Sequence, residues 1–124
     1  MDEGRLTIQL QSILGMEGYV RFCQALGGTR VYVSHRFSDE HAAVEAVGRE
    51  KADKLSRAIA PATIRVPLAR RERALFFRDQ GLSDAKIALQ LGITENGVGK
   101  LFKREPDLPD RPGSAKNGAQ LSLF

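Results

Sequence analysis

The sequence predicts a mainly α protein: N-terminal helices with one short β-strand, forming a dimerisation module, then a C-terminal helix-turn-helix domain and a disordered tail. Three observations predict it. Apolar residues recur at helical spacing along most of the chain, one β-branched run interrupts them, and Asp84–Lys103 has the layout of two helices joined by a glycine turn. The implied divisions are 1–62, 63–105 and 106–124. A chain of 124 residues suits one compact domain or two small modules. Small modules bury a limited share of their surface, which favours self-association.

Leu6, Leu10, Ile13 and Leu14 stand at i, i+4, i+7 and i+8, which favours a helix over the strand that Leu6, Ile8 and Leu10 alone would allow. After Gly15 a second helix is expected from Met16 to Leu26, with Val20, Cys23 and Leu26 on one face, ended by Gly27-Gly28. Thr29–Val33 is β-branched and aromatic, hence a strand. A lone strand cannot satisfy its own backbone groups, and no second convincing strand occurs in this half. The expected partner is the same strand of a second copy, in a two-fold homodimer.

Ser38, followed by Asp39 and Glu40, reads as the N-cap of a helix running to about Ala60. Val44, Val47, Leu55 and Ile59 lie near one of its faces, and Pro61 stops it. Ala62–Val66 reads as an extended connector, and Pro67 suits the first position of the next helix. That helix carries Arg70, Arg71, Arg73 and Arg78 around Leu68, Leu75 and Phe76 and ends at Gly81. Ser83 and Thr94 are placed to cap the two motif helices. Beyond Glu105, three prolines and two glycines among polar residues predict a flexible tail.

Within Asp84–Lys103, Ala88, Gly92, Val98 and Leu101 hold the fifth, ninth, fifteenth and eighteenth places. Two helices packed at a steep angle need a small residue, a turn glycine and two apolar anchors there. Ile87, Leu91 and Ile93 complete the seam. Held this way, the second helix can present its other face to the DNA major groove. Charge agrees. Residues 1–64 carry 8 Lys/Arg against 8 Asp/Glu, residues 65–105 carry 9 against 5, and residues 106–124 carry 2 against 2. The net +4 therefore sits on the motif and its leading helix, where phosphates would be met.

From Thr94 to Arg104 the expected buried side is Val98, Leu101 and Phe102, and the groove side is Glu95, Asn96, Gly97, Gly99, Lys100 and Lys103. Asparagine can pair with adenine, lysine with guanine or phosphate, and Glu95 with cytosine or with the helix dipole. Gly97 and Gly99 each weaken a helix by ~1 kcal/mol and leave few side chains for direct readout. The expected DNA-contacting set is Arg70, Arg71, Arg73, Ser83, Thr94, Glu95, Asn96, Lys100, Lys103 and Arg104.

Leu26-Gly27-Gly28-Thr29-Arg30-Val31-Tyr32-Val33 resembles the GG-x-x-x-Y-I-P signature of the Mor/C transcription activators of Mu-like phages. That signature precedes a helix-turn-helix in chains of similar length, and the resemblance runs from about Ile13 to Glu105. Val33-Ser34 stands where the family has Ile-Pro. The resemblance implies an intertwined dimer, with Gly27, Gly28, Val31, Tyr32 and Val33 at the dimer strand and its turn. Each helix-turn-helix would bind half of a dyad element of double-stranded DNA near a promoter, through Asn96, Lys100 and Lys103. RNA polymerase is then a further candidate partner, in a bacterial or phage nucleoid.

The last five residues, Gln120, Leu121, Ser122, Leu123 and Phe124, resemble the peptide by which bacterial replication and repair proteins dock on the β sliding clamp. Glutamine offers an amide, Leu-Phe an apolar anchor and the terminus a carboxylate. This supports an alternative: a replisome-associated adaptor whose helix-turn-helix grips DNA with low specificity. The other reading packs Leu123 and Phe124 on the protein's own core.

Catalytic patterns are few. His35 and His41 have no third ligand at convincing spacing, and no acidic pair, glycine-rich phosphate loop or nucleophile elbow occurs. Cys23, the single cysteine, lies on an apolar helix face and reads as core. It excludes an intramolecular disulfide and fits a reducing compartment. No apolar run approaches the ~20 residues of a membrane span, and the start is acidic and polar. The expectation is a soluble, cytoplasmic chain with no enzyme activity, metal or cofactor.

Overall fold

The computed structural model describes residues 3–103. It is mainly helical, in the order α1 (Glu3–Leu26), β1 (Arg30–Val33), α2 (Ala42–Val47), α3 (Arg49–Ile59), β2 (Ala62–Arg65), α4 (Arg70–Asp79), α5 (Asp84–Leu91) and α6 (Glu95–Lys103). Packing divides the chain into two compact units, one reaching to Phe76 and one starting at Phe77. β2, where composition drew its 62/63 division, lies within the first. No helix among the described residues is long and apolar enough to cross a membrane.

In the first unit, α1 is broken at Gly15, whose φ of 75° and ψ of 169° leave the helical region. Lys51 Nζ donates to the Leu14 carbonyl at 2.9 Å, satisfying an acceptor at the break. The core is built from Leu6, Leu10, Leu14, Tyr19, Phe22 and Cys23 of α1. Val31 and Val33 of β1, Ile64 and Val66, and Phe37, Ala43, Ala52 and Leu55 close it. Full burial of such side chains stabilises by about 1.5–3 kcal/mol each for the larger ones.

β1 and β2 form an antiparallel two-stranded sheet with Arg30 opposite Arg65, Val31 opposite Ile64, Tyr32 opposite Thr63 and Val33 opposite Ala62. This corrects two expectations. Ala62–Val66 is not a plain connector, and β1 does not need a second copy to satisfy one of its edges. Val31 and Val33 are 5% and 0% exposed within this chain's own core, so they offer no surface to a partner. β2 escaped notice because it is four residues long with only Ile64 fully buried. The glycine pair makes the pairing possible. A Cβ on Gly27 would stand 2.5 Å from the Cys23 carbonyl oxygen and 3.0 Å from that of Pro67, and the Gly28 N–H donates to the Val66 carbonyl at 2.8 Å.

Two helix boundaries also differ from expectation. The helix expected from Ser38 to Ala60 begins at Ala42 and is divided at Gly48, which sits at φ 91°. His41, not Ser38, is the cap: its Nδ1 accepts from the Ala43 N–H at 2.9 Å. Asp39 is instead engaged by the Arg49 guanidinium. Pro67 does not open α4, which starts three residues later, after Ala69 in the left-handed region at φ 51°.

Candidate nucleic-acid interface

The second unit contains α5 and α6. Ser83 Oγ accepts from the Lys86 N–H at 3.2 Å and starts α5. Gly92 ends it at φ 73°, ψ 32°, a left-handed turn that glycine adopts without a Cβ clash. The N–H groups of Gly92 and Ile93 both donate to the Ala88 carbonyl, at 2.9 and 3.1 Å. Thr94 Oγ1 then accepts from the Gly97 N–H at 2.9 Å, opening α6. Ile87, Ala88, Leu91 and Val98 are buried, and Ile93, Leu101 and Phe102 are half-buried. The Arg78 guanidinium lies 4.6 Å from the centre of the Phe102 ring, a cation–π contact.

This packing sets the rotation of α6. Glu95, Asn96, Gly99, Lys100 and Lys103 are exposed on it. The side chains of Glu95, Asn96, Lys100 and Lys103 make no hydrogen bond or ion pair with other described residues. Ser83 and Thr94 are exposed too; each hydroxyl accepts its cap N–H and keeps its own O–H to donate. The two glycines differ. A Cβ on Gly97 would stand 3.2 Å from Thr94 Oγ1, so that glycine makes room for the cap, whereas nothing lies within 4 Å at Gly99. Only Gly99 leaves open space beside the helix.

On α4, Arg70 and Arg71 are exposed, Arg71 with the Glu72 carboxylate at 3.7 Å. Arg73 is different and corrects the expectation. It is 6% exposed, donates from Nε to Gln24 Oε1 at 2.8 Å and from a terminal nitrogen to the Leu68 carbonyl at 3.1 Å. Burial lowers its pKa below the usual arginine value. It ties α4 to α1 and is not open to a phosphate. Arg104 and Gln120–Phe124 lie outside the described residues.

Lys86 was missed in the sequence. It is exposed in the first turn of α5, with no side-chain partner among the described residues. A cation there opposes the helix dipole. That misfit was the available signal, and an external anion would relieve it.

Of the residues expected at a dimer strand, Gly27 and Gly28 form the turn, Val31 and Val33 face inward, and Tyr32 is 57% exposed. No known protein family, characterised protein or solved structure matches this chain. Its function has to be read from its own residues.

Proposed function

We propose that this chain is a sequence-specific DNA-binding transcription regulator, of the kind implied by its resemblance to the Mor/C activators, with α6 as the helix that enters the major groove. One observation supports it above the others: α6 is held by Val98 and Leu101 on one side while Asn96, Lys100 and Lys103 stand unpartnered on the other. Asn96 would read an adenine edge, and Lys100 and Lys103 would meet guanine or phosphate. Lys86, Arg70 and the hydroxyls of Ser83 and Thr94 would supply contacts to the backbone, which position the protein without reading sequence.

The test is selection of bound duplexes from a random library with the full-length protein at near-physiological salt. An enriched sequence is expected. An inverted repeat with half-sites about one helical turn apart would add a two-fold homodimer to the reading, and RNA polymerase would then be assayed on that promoter. Binding with no enriched sequence would sink the regulator.

The peptide Gln120-Leu121-Ser122-Leu123-Phe124 favours a second reading, an adaptor held on the β sliding clamp. Deleting those residues should abolish co-purification with the clamp; persistence of the complex would dispose of it.

A further inference from the structure

We propose that the open edge of β1 is a docking strand for an extended, acidic peptide segment of a partner protein, independently of the DNA-binding reading. The Val66 N–H donates to the Thr29 carbonyl. Antiparallel alternation from that bond directs the backbone groups of Val31 and Val33 toward β2 and those of Arg30 and Tyr32 away from it. On the outward side, no backbone group of the described residues meets Arg30 or Tyr32. An unpaired row of this kind is a template for another strand.

A groove of about 590 Å³ is lined by residues of β1, of the loop after it and of the start of α2, and by none of β2. Leu26 gives it apolar surface, Arg30, Arg36 and His41 give it positive or hydrogen-donating surface, and no Asp or Glu lines it. Arg30 makes no ion pair with a described residue, and Arg36 reaches the Asp53 carboxylate only at 3.6 Å. His41 uses Nδ1 to accept from Ala43, so its ring proton sits on Nε2 as a donor. Arg30 also stands directly across the sheet from Arg65. Like charges at opposed positions repel, and an incoming carboxylate offsets that repulsion.

These features select the occupant. A phosphodiester backbone offers acceptors only, and would leave the outward carbonyls of Arg30 and Tyr32 without donors. The β1 of a second copy offers both kinds of group but no anion. In the antiparallel registers that use the outward groups, Arg30 would face Arg30, Tyr32 or Ser34 of that copy. An acidic strand meets both the backbone pattern and the charge.

The experiment uses the full chain and a fluorescein-labelled pentapeptide, acetyl-Glu-Val-Asp-Val-Glu-amide, with a counterpart in which lysine replaces each acid. Saturable anisotropy change is expected with the acidic peptide alone. Arg30→Glu should weaken it by roughly tenfold or more. Tyr32→Pro should abolish it, since that change removes an outward N–H and no β1–β2 bond, with the unfolding midpoint reporting the fold. Should Tyr32→Pro unfold the chain, slowed amide exchange at Arg30 and Tyr32 in the wild type on adding peptide gives the same reading. Equal binding of both peptides, no binding, or indifference to Arg30→Glu would overturn the proposal. Protection of those two amides by self-association or by duplex DNA, with the peptide unable to compete, would assign the edge to a second copy or to nucleic acid and equally overturn it.

Discussion

Arg70 and Arg73 show how little residue type says about role. In the sequence they are equivalent members of a basic cluster; in the structure Arg70 is exposed and Arg73 is buried on Gln24 and the Leu68 carbonyl. Removing the buried guanidinium strands two acceptors, so Arg73→Met should lower the unfolding free energy by about 2 kcal/mol in urea titration while leaving DNA affinity per folded molecule unchanged. Arg70→Ala should do the reverse, with stability within about 0.5 kcal/mol of the parent and a shallower salt dependence of binding. Cys23 was legible as core, because a small apolar-tolerant residue on a buried stripe needs no other role. Burial pushes its thiol from the ordinary 9.0 up to about 11. The unfolded chain ionises first as pH rises, so this contribution to stability is intact below 9.0 and lost toward 11. At pH 8, iodoacetamide should alkylate the native thiol at least roughly a hundredfold more slowly than the unfolded one; comparable rates would contradict the buried placement.

Elements were legible where a local rule and a packing demand agreed. The caps of α5 and α6 at Ser83 and Thr94, the turn at Gly92 and the break at Gly15 each follow from a residue whose local chemistry is strong. β2 was not legible, because nothing in Ala62-Thr63-Ile64-Arg65 marks a strand until β1 lies beside it. Nor was the division between α2 and α3, since a single glycine inside an apolar stripe is compatible with a continuous helix and only its φ of 91° excludes one. Within α6 the glycines give a direct test. Gly99→Ala meets open space and should stabilise the second unit by about 1 kcal/mol in thermal unfolding. Gly97→Ala should gain less or lose, because its Cβ would crowd Thr94 Oγ1 at 3.2 Å. Asn96→Ala should relax selectivity at one base step by about 1–3 kcal/mol, read by competition between operator variants. Unchanged selectivity would mean that α6 does not face base edges through Asn96.

For the whole molecule, the mainly helical class followed from apolar spacing, and charge distribution placed the basic excess beyond residue 64. What composition could not supply was the long-range closure of the first unit. Charge sets a global observable: Lys100→Ala and Lys103→Ala should each reduce the slope of log affinity against log salt by about 0.9 if each meets one phosphate. No change in slope would remove them from the interface. The closure has a consequence for synthesis. β1 leaves the ribosome well before β2, with all of α2 and α3 in between. Throughout that interval the nascent strand is bare on both sides and open to illegitimate pairing. Arg30 and Arg36 place charge on and beside that strand, which discourages such pairing, and a ribosome pausing between Val33 and Ala62 would prolong its exposure.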